Sequence, residues 1–288
     1  MGAILGSGNS ELEVILLRSG GRLGNRIFEY SHFLAGSLEY GYKVYAPFFL
    51  PYARYFDGTA SWAEGLLAQL LIQVYPFAER TLRTINRLTR KRRDRATVKI
   101  NSDWVRSMHS RGKVIIDRPW RYKFEPTSET DRDRIWNVLR ELFRPVERVR
   151  KVAEQTVEVV RGIGEPVVGL HMRQTDYRYW KGGAYFYSVS DYKRIIRLAR
   201  RIMPDCVILL VGDEEDNLRL VADKESKVHV GHNGVVEDLY ALSLCDFIAG
   251  PPSTFGDWAS QFGQVPRYSI MDSHKEFELS DFLITSFF

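Results

Sequence analysis

The sequence has few cysteines and no long apolar run. Cys206 and Cys245 cannot form a disulfide framework, and each lies beside an apolar, strand-like run, so both are predicted to be small buried residues. The most apolar long window, residues 66–78, is interrupted by Gln69 and Gln73 and is too short to span a bilayer. No signal peptide is predicted at the N-terminus. These absences favour a reducing compartment and a cytoplasmic location.

Several catalytic signatures are also missing. The sequence has no HExxH, no paired CxxC and no EF-hand loop, and its six histidines are scattered. No Gly-x-Ser-x-Gly elbow indicates a hydrolase triad. Two acidic clusters, at residues 131–133 and 213–216, could bind a metal ion, but acidic first turns of helices explain them equally well. We therefore expect neither a metal ion nor a cofactor.

The composition is that of a globular protein with anionic partners. Its 288 residues suit two domains, and an apolar fraction of 44% is ample for two cores. The net charge of +5 and the pI near 9.1 favour nucleotide phosphates, anionic glycans, membrane surfaces or nucleic acid as partners.

Strands and helices alternate along most of the chain. The chain opens with an apolar strand at 14–17, a glycine turn, a helix ending at Gly41 and a strand at 43–46. A mostly helical middle contains a strand at 114–116. Further strands are predicted at 167–171, 207–211, 227–230, 247–249 and 268–271, and helices at 191–202, 214–222, 236–244 and 254–262. This alternation is typical of parallel, doubly wound sheets. We predict two Rossmann-like domains, residues 1–155 and 156–288, facing each other across a cleft.

Polar side chains follow the buried strand at 167–171. His171 and Arg173 lie on the same side of the extended chain, and Asp176 comes one turn later. In open α/β sheets, ligands bind at the carboxyl ends of strands, and an arginine there can grip phosphate oxygens. The alternative is a structural Arg173–Asp176 ion pair with a hydrogen-bonded core histidine.

Two other segments offer anion sites at helix starts. Gly24 and Asn25 lie in the glycine turn after the first strand, and Ser253 and Thr254 lie between a strand and a helix. A tight turn and helix capping are the alternatives at these two places. Asp238 lies in the first turn of another helix, where an acid is also favoured by the helix dipole.

A basic segment and an aromatic loop remain. Residues 80–95 carry Arg80, Arg83, Arg87 and Arg90 on one helical face, followed by more cations. This segment is either a solvated surface or a peripheral contact with an anionic membrane. The loop 177–185 mixes aromatics with glycine, which suits either sugar stacking or packing of the loop on itself.

Taken in order, these segments resemble the fucosyltransferase superfamily, and most of all its α1,2-fucosyltransferase group. Residues 21–30 (GRLGNRIFEY) resemble a Gly-x-Gly-Asn-Gln-x-Phe-Gln-Tyr segment, and residues 171–177 (HMRQTDY) resemble a His-x-Arg-Arg-x-Asp-Tyr motif. Residues 238–243 (DLYALS) and 253–258 (STFGDW) resemble Asp-x-x-x-x-Ser and Ser-Thr-Phe-x-x-Trp segments. The matches run from the first glycine turn to about residue 262.

The resemblance implies a GT-B fold, a GDP-fucose donor, a glycan acceptor and transfer with inversion but without a metal ion. Carried over by position, Arg173 holds the pyrophosphate, and Asn25 lies beside the fucose or the diphosphate. The guanine–ribose end is bound by His171 and Asp238, and the phosphate oxygens by Ser253, Thr254 and the Gly24 turn. Asp176 is a candidate base, and no nucleic acid partner is expected.

Three departures from the family pattern bear on the acceptor and the linkage, and to a lesser degree on the donor. Gln174 stands where the motif has a second arginine, so one positive charge is missing, and Arg26 is a candidate to restore it. Gly256 and Asp257 replace bulkier residues before Trp258. Two alternatives therefore stay open: a GT-B transferase that uses another nucleotide sugar, and a basic non-enzymatic protein that associates with membrane or nucleic acid.

Overall fold

Parallel strands followed by helices build both halves of the chain. The computed structural model describes residues 12–88, 96–117, 119–231 and 233–286. These residues form two compact units, one ending at Val146 and one beginning at Glu147. The predicted division at 155/156 differs, because it cuts the helix Glu147–Arg161, which packs on elements of the second unit.

The first unit contains a three-stranded parallel sheet and a separate parallel pair. Its strands are β1 (Glu13–Arg18), β2 (Lys43–Tyr45), β3 (Val98–Lys99), β4 (Lys113–Asp117) and β5 (Tyr122–Lys123). Its helices are α1 (Leu23–Tyr40), α2 (Leu50–Ala53), α3 (Leu66–Leu88), α4 (Ser102–His109) and α5 (Glu129–Leu142). The sheet order β2-β1-β4 places the first predicted strand in the centre.

Helix α1 follows the glycine turn and ends where the sequence predicts. Its apolar positions, among them Ile27, Tyr30 and Phe33, are fully buried in the first unit. Gly41 adopts a left-handed conformation with φ of 74°, and its N–H donates to the carbonyl of Ser37 at 2.9 Å. Glycine meets this backbone requirement without a steric penalty, so the helix stops there.

The second unit is a five-stranded, all-parallel sheet with helices on both faces. Its helices are α6 (Glu147–Arg161), α7 (Val189–Ile202), α8 (Glu215–Ala222), α9 (Val235–Leu242) and α10 (Thr254–Gly263). Its strands are β6 (Val167–Met172), β7 (Val207–Gly212), β8 (Val228–Val230), β9 (Phe247–Gly250) and β10 (Arg267–Ser269). All five strands and all four helices predicted after residue 165 are present, with small differences at their ends.

The strand order of this sheet defines one switch point. The order is β10-β9-β6-β7-β8, so the chain winds outward from β6 in one direction and then returns to β9 on the other side. In doubly wound sheets the ligand crevice lies at the carboxyl ends of the two strands where the winding reverses. Here those ends lead directly into Arg173 and into the segment 251–254.

Both faces of β6 are buried, which explains its continuous apolar run. Val168 and Leu170 belong to a core cluster with α7, whereas a Cβ on Gly169 would lie 2.6 Å from Leu242 of α9. His171 alternates with Leu170 and therefore shares the Gly169 face. The two cysteines are buried and unpaired, as predicted. No helix in the described ranges is long and apolar enough to cross a membrane.

The end of α10 lies so close to Ser243, the residue that follows α9, that only glycine fits at position 263. A Cβ on Gly263 would lie 1.9 Å from the carbonyl oxygen of Ser243. Gly263→Ala should therefore destabilise the protein by about 2–3 kcal/mol in urea unfolding, because the helix must move away. Gly162→Ala is the matched control, since its Cβ meets no atom closer than 3.3 Å. Equal unfolding midpoints for the two variants would contradict the close packing.

Candidate functional site

Arg173 leaves β6 with its guanidinium held between two carboxylates. Its Nη2 lies 2.8 Å from Oδ1 of Asp176, and its Nη1 lies 3.2 Å from Oδ2 of Asp213. Asp213 follows β7, the neighbouring strand, and also accepts hydrogen bonds from the Gln174 N–H at 2.8 Å and the Thr175 hydroxyl at 2.6 Å. The Arg173–Asp176 ion pair considered from the sequence is thus present, and it orients the cation.

Asp213 stays ionised in this arrangement. Burial by itself would raise the pKa of its carboxyl, but the hydrogen bonds from Thr175 and Gln174 and the Arg173 charge bring the pKa below its ordinary value. Sequence reasoning considered Asp213 as a possible metal ligand or as an acid in the first turn of a helix. Its position directly after a strand adjacent to β6 was the available signal, because neighbouring parallel strands end at the same sheet edge.

No metal-binding cluster accompanies these carboxylates. Within the described ranges, no group of three or more His, Cys, Asp or Glu side chains is placed to hold a metal ion. Asp131 of the other acidic segment accepts hydrogen bonds from Thr127 and Ser128 at the start of α5, as an acid in a first turn should.

Gln174 points into the interior of the second unit. Its side chain is buried, its Nε2 donates to the carbonyl of Tyr187 at 2.8 Å, and its Oε1 accepts from Nδ2 of Asn217 at 2.6 Å. Both ends of the amide are therefore used in packing. An arginine in the same orientation would bury a charge and lose the hydrogen bond with Asn217, because a guanidinium cannot accept one.

Arg26, the residue suggested to restore the missing charge, is paired inside the first unit. Its side chain is buried in the first unit, donates to the carbonyls of Phe48 and Gly21, and lies 3.1 Å from Oε2 of Glu79. The guanidinium is thus used to attach helix α3 to the start of α1.

A second cation lies under the segment that follows β9. Arg267 of β10 is buried and donates to Oδ1 of Asp257 and to the carbonyl of Pro251, both at 2.8 Å, and to the Ser269 hydroxyl. A Cβ on Gly256 would lie 2.5 Å from its Nε. The two departures at 256 and 257 thus have one physical reason, since Gly256 makes room for Arg267 and Asp257 pairs with it.

Sequence reasoning missed Arg267. It lies in a strand predicted correctly at residues 268–271, but nothing in the local pattern shows that its side chain crosses beneath another loop. Both Arg173 and Arg267 lower the pKa of His171, although burial is the larger cause. The charges of Arg173 and Arg267 therefore both act on His171.

His171 and Ser253 meet across the switch point. The Ser253 hydroxyl lies 3.4 Å from Nδ1 of His171 and accepts from the Gly256 N–H at 3.1 Å, so it also caps α10. Thr254 is the first residue of that helix. Burial lowers the pKa of His171 to about 3, so its ring is neutral. The structure brings these three predicted residues to one sheet edge.

Tyr177 joins the two loops of this edge. Its hydroxyl donates to the carbonyl of Pro252, and the Arg173 guanidinium carbon lies 5.7 Å from its ring centre. Burial raises the pKa of this hydroxyl to about 12. The hydroxyl therefore remains a donor and fixes the segment 251–254 relative to the end of β6.

Asp238 is a buried acid near the end of β8. Gly234 caps helix α9, so Asp238 is not its N-cap. Its carboxyl accepts from the Asn233 N–H, while its Oδ1 has no hydrogen-bond partner among the described residues. Burial raises its pKa to about 7. An orphaned buried acceptor of this kind needs an explanation, and a ligand N–H supplies one.

Asn25 and Gly24 lie in the first unit, whereas the other predicted site residues lie in the second. Gly24 is buried and Asn25 is exposed in the first turn of α1. A Cβ on Gly21 would lie 1.9 Å from Nδ2 of Asn25, so glycine lets this amide fold back over the turn.

Glu29 supports this turn from below and was not predicted. It lies one helical turn after Asn25, is buried, and accepts hydrogen bonds from Ser19 and the Gly20 N–H. Burial raises its pKa to about 7, against the effect of those hydrogen bonds. The carboxyl thereby fixes the backbone that leads into Asn25.

The aromatic loop after Arg173 packs largely on itself. Trp180 lies 4.8 Å from the ring of Tyr177 and 5.4 Å from that of Tyr185, and the Lys181 ammonium lies 4.9 Å from the Trp180 ring. Tyr179 alone of these aromatics is strongly exposed. Self-packing, one of the two predicted uses, is thus present. Of the basic segment 80–95, residues 89–95 lie outside the described residues.

Solved structures of fucosyltransferases share the fold of this chain. A NodZ alpha-1,6-fucosyltransferase soaked with GDP-fucose gives a TM-score of 0.51 at 14% identity, covering 95% of this chain and 99% of that one. NodZ from Bradyrhizobium gives 0.51 at 14%, covering 89% and 94%. The apo form of POFUT1 gives 0.52 at 10%, covering 91% and 98%. No protein-family model and no curated protein matches the sequence.

At these identities the likeness concerns the fold and carries no residue roles. Both units have the parallel α/β organisation that the sequence motifs predict. The chain therefore has the mixed α/β fold of the GT-B fucosyltransferase structures, which confirms the predicted fold class.

Proposed function

We propose that the protein is a glycosyltransferase that moves fucose from GDP-fucose to a glycan hydroxyl, with inversion and without a metal ion. The observation that carries the proposal is Arg173, a cation fixed at the switch point of the second unit beside the start of α10. Sequence motifs that resemble the α1,2-fucosyltransferase group, and a fold shared with a NodZ structure soaked with GDP-fucose, support the choice of donor.

In the proposed reaction an acceptor hydroxyl attacks the anomeric carbon of the donor. The new C–O bond forms as the bond to the diphosphate breaks, so GDP leaves with the electron pair and the hydroxyl proton passes to a base. Negative charge grows on the departing diphosphate. Arg173 and the positive N-terminal end of the α10 dipole stabilise this charge, which is the work of a metal ion in other transferases.

Arg267 contributes a second positive charge beneath the loop 251–254. Its guanidinium donates to the Pro251 carbonyl and so fixes the loop whose end carries Ser253 and Thr254. We propose that these two hydroxyls bind phosphate oxygens while Arg267 provides the second positive charge that Gln174 does not. Asp257 offsets part of that charge, so Arg267 acts mainly on the position and potential of the loop.

Asp238 is proposed to bind the guanine base, together with His171 at the ribose end. Its orphaned Oδ1 is an acceptor, and the Watson–Crick edge of guanine presents adjacent N–H donors. Asn25, from the first unit, is proposed to contact the fucose or the diphosphate, with the backbone of Gly24 beside it. Asp176, half-exposed and bonded to Arg173, is the proposed candidate for the base.

Arg173→Ala should lower GDP release from GDP-fucose by about 10²–10³-fold in the presence of a suitable glycan acceptor, because a preorganised donor to the leaving group is lost. Arg200→Ala is the matched control, since Arg200 also pairs with an acid, Glu225, at 2.9 Å but lies at the end of α7. Release measured by a coupled GDP assay should be near normal in that control. Normal release in Arg173→Ala would overturn the assigned role.

The nucleotide preference depends on Asp238. We expect GDP to raise the melting temperature more than UDP or ADP does, because only guanine offers two neighbouring N–H donors to the carboxyl. Binding requires the carboxylate, whose pKa in the free protein is about 7. A bound donor lowers that pKa, so GDP affinity should be full above pH 7 and should fall by up to about tenfold per pH unit below it.

Asp238→Asn should abolish this pH dependence and weaken GDP binding by about 10–100-fold, the loss of a charge-assisted hydrogen bond. Titration calorimetry between about pH 5.5 and 8 measures both effects. Asp205→Asn, an exposed acid in the same unit, is the control and should titrate like the parent protein. A preference for UDP, or a pH-independent affinity in the parent, would argue against the guanine assignment.

Gly256→Ala tests the second cation, because the added Cβ would meet Nε of Arg267 at 2.5 Å and displace the guanidinium. GDP binding should weaken by about tenfold, equivalent to about 1.4 kcal/mol of Coulomb energy, while guanosine binding stays unchanged. Arg267→Met, which removes the charge, should give the same split. An equal loss of GDP and guanosine affinity in both variants would show that Arg267 serves the fold alone.

A further inference from the structure

Helix α3 exposes a stripe of large apolar side chains to solvent. Leu70, Leu71, Val74 and Phe77 are 48%, 40%, 58% and 72% exposed. Their spacing places them on one face of the helix. We name these four residues the α3 stripe. Contiguous apolar surface of this kind is costly in water and marks a surface that another body covers.

A different face attaches α3 to the first unit. The Tyr75 hydroxyl donates to the carbonyl of Leu17 at 3.1 Å, and Glu79 pairs with Arg26. The Arg26 guanidinium also lies 6.0 Å from the Tyr75 ring centre. These contacts hold the helix in place without any member of the α3 stripe, so the stripe is available to a partner while α3 remains attached.

The sequence of the segment 66–95 has a strong excess of positive charge. Glu79 is buried and its charge is matched by Arg26, which leaves Asp94 as the other acid between residues 66 and 95. The basic residues of the same segment are Arg80, Arg83, Arg87, Arg90, Lys91, Arg92, Arg93 and Arg95. A segment with an exposed apolar face followed by a run of cations combines the two attractions that hold helices at anionic lipid headgroups.

We propose that the α3 stripe inserts into the headgroup region of an anionic lipid bilayer, with the helix lying in the plane of the membrane. α3 is not apolar enough to cross the membrane, which agrees with an in-plane position. A second copy of the chain fits the stripe less well, because its own segment 66–95 carries the same excess of positive charge and offers no opposite charge. This surface lies outside the proposed donor site, so the proposal does not depend on the transfer reaction.

The test is co-sedimentation of the whole protein with lipid vesicles. The parent protein should bind phosphatidylcholine vesicles that contain about 30% phosphatidylserine and should bind pure phosphatidylcholine at least about tenfold more weakly. The triple variant Leu70→Gln/Val74→Gln/Phe77→Gln should lose at least about 100-fold in partitioning to the anionic vesicles, because three apolar side chains no longer leave water. Raising the salt to about 0.5 M should weaken parent binding several-fold.

Matched substitutions separate this effect from unfolding. Gln69→Ser/Gln73→Ser alters two exposed polar positions of the same helix and should bind like the parent. Circular dichroism and melting temperature should be unchanged in both variants, because all the substituted side chains are exposed. Absence of parent binding to anionic vesicles, or equal binding by the triple variant, would overturn the proposal. So would a parent dimer that the triple variant dissociates, if neither protein binds vesicles.

Discussion

The placement of one cation, Arg173, at the end of a buried strand organises the candidate site. A guanidinium at the end of a fully buried strand is costly unless carboxylates meet it, and Arg173 meets two. Asp213 also binds the backbone and hydroxyl of the residues that follow Arg173, so the exits of β6 and β7 form one hydrogen-bonded unit. Tyr177 ties the β9 exit to the same unit. The hydrogen bonds and ion pairs that connect the three strand exits thus centre on Arg173 and its partner Asp213.

The departures from the motif pattern are connected through packing. Gln174 uses both ends of its amide in interior hydrogen bonds, and the Arg267 side chain of strand β10 donates to the loop that follows β9. The Arg267 side chain has room there because residue 256 is a glycine, and its charge is paired with Asp257. Gln174, Gly256, Asp257 and Arg267 therefore form one connected arrangement. A chain with a second arginine in the motif would not need it.

The sequence predicts the second unit well because its strands are buried on both faces and alternate with amphipathic helices. The two-residue strands β3 and β5 carry no periodic signal and were not predicted. Local pattern also located His171, Arg173 and Ser253, since residues at strand exits converge by topology. Asp213 and Arg267 were missed as site residues because their roles depend on which strands become neighbours and on side-chain direction. The pairing of Arg26 could not be predicted for the same reason, since its partner Glu79 lies 53 positions away.

The sheet edge of the second unit is electrically polarised, and this polarity limits the ligands that fit. Its cations lie at the switch point between β6 and β9, whereas Asp238 lies near the end of β8, at the margin of the sheet. A ligand with phosphates at one end and N–H donors at the other complements both. Adenine offers a ring acceptor where guanine offers a donor, so an adenine nucleotide would leave Oδ1 of Asp238 facing a lone pair. The cost of that mismatch, more than any attraction to the phosphates, is what would select the base.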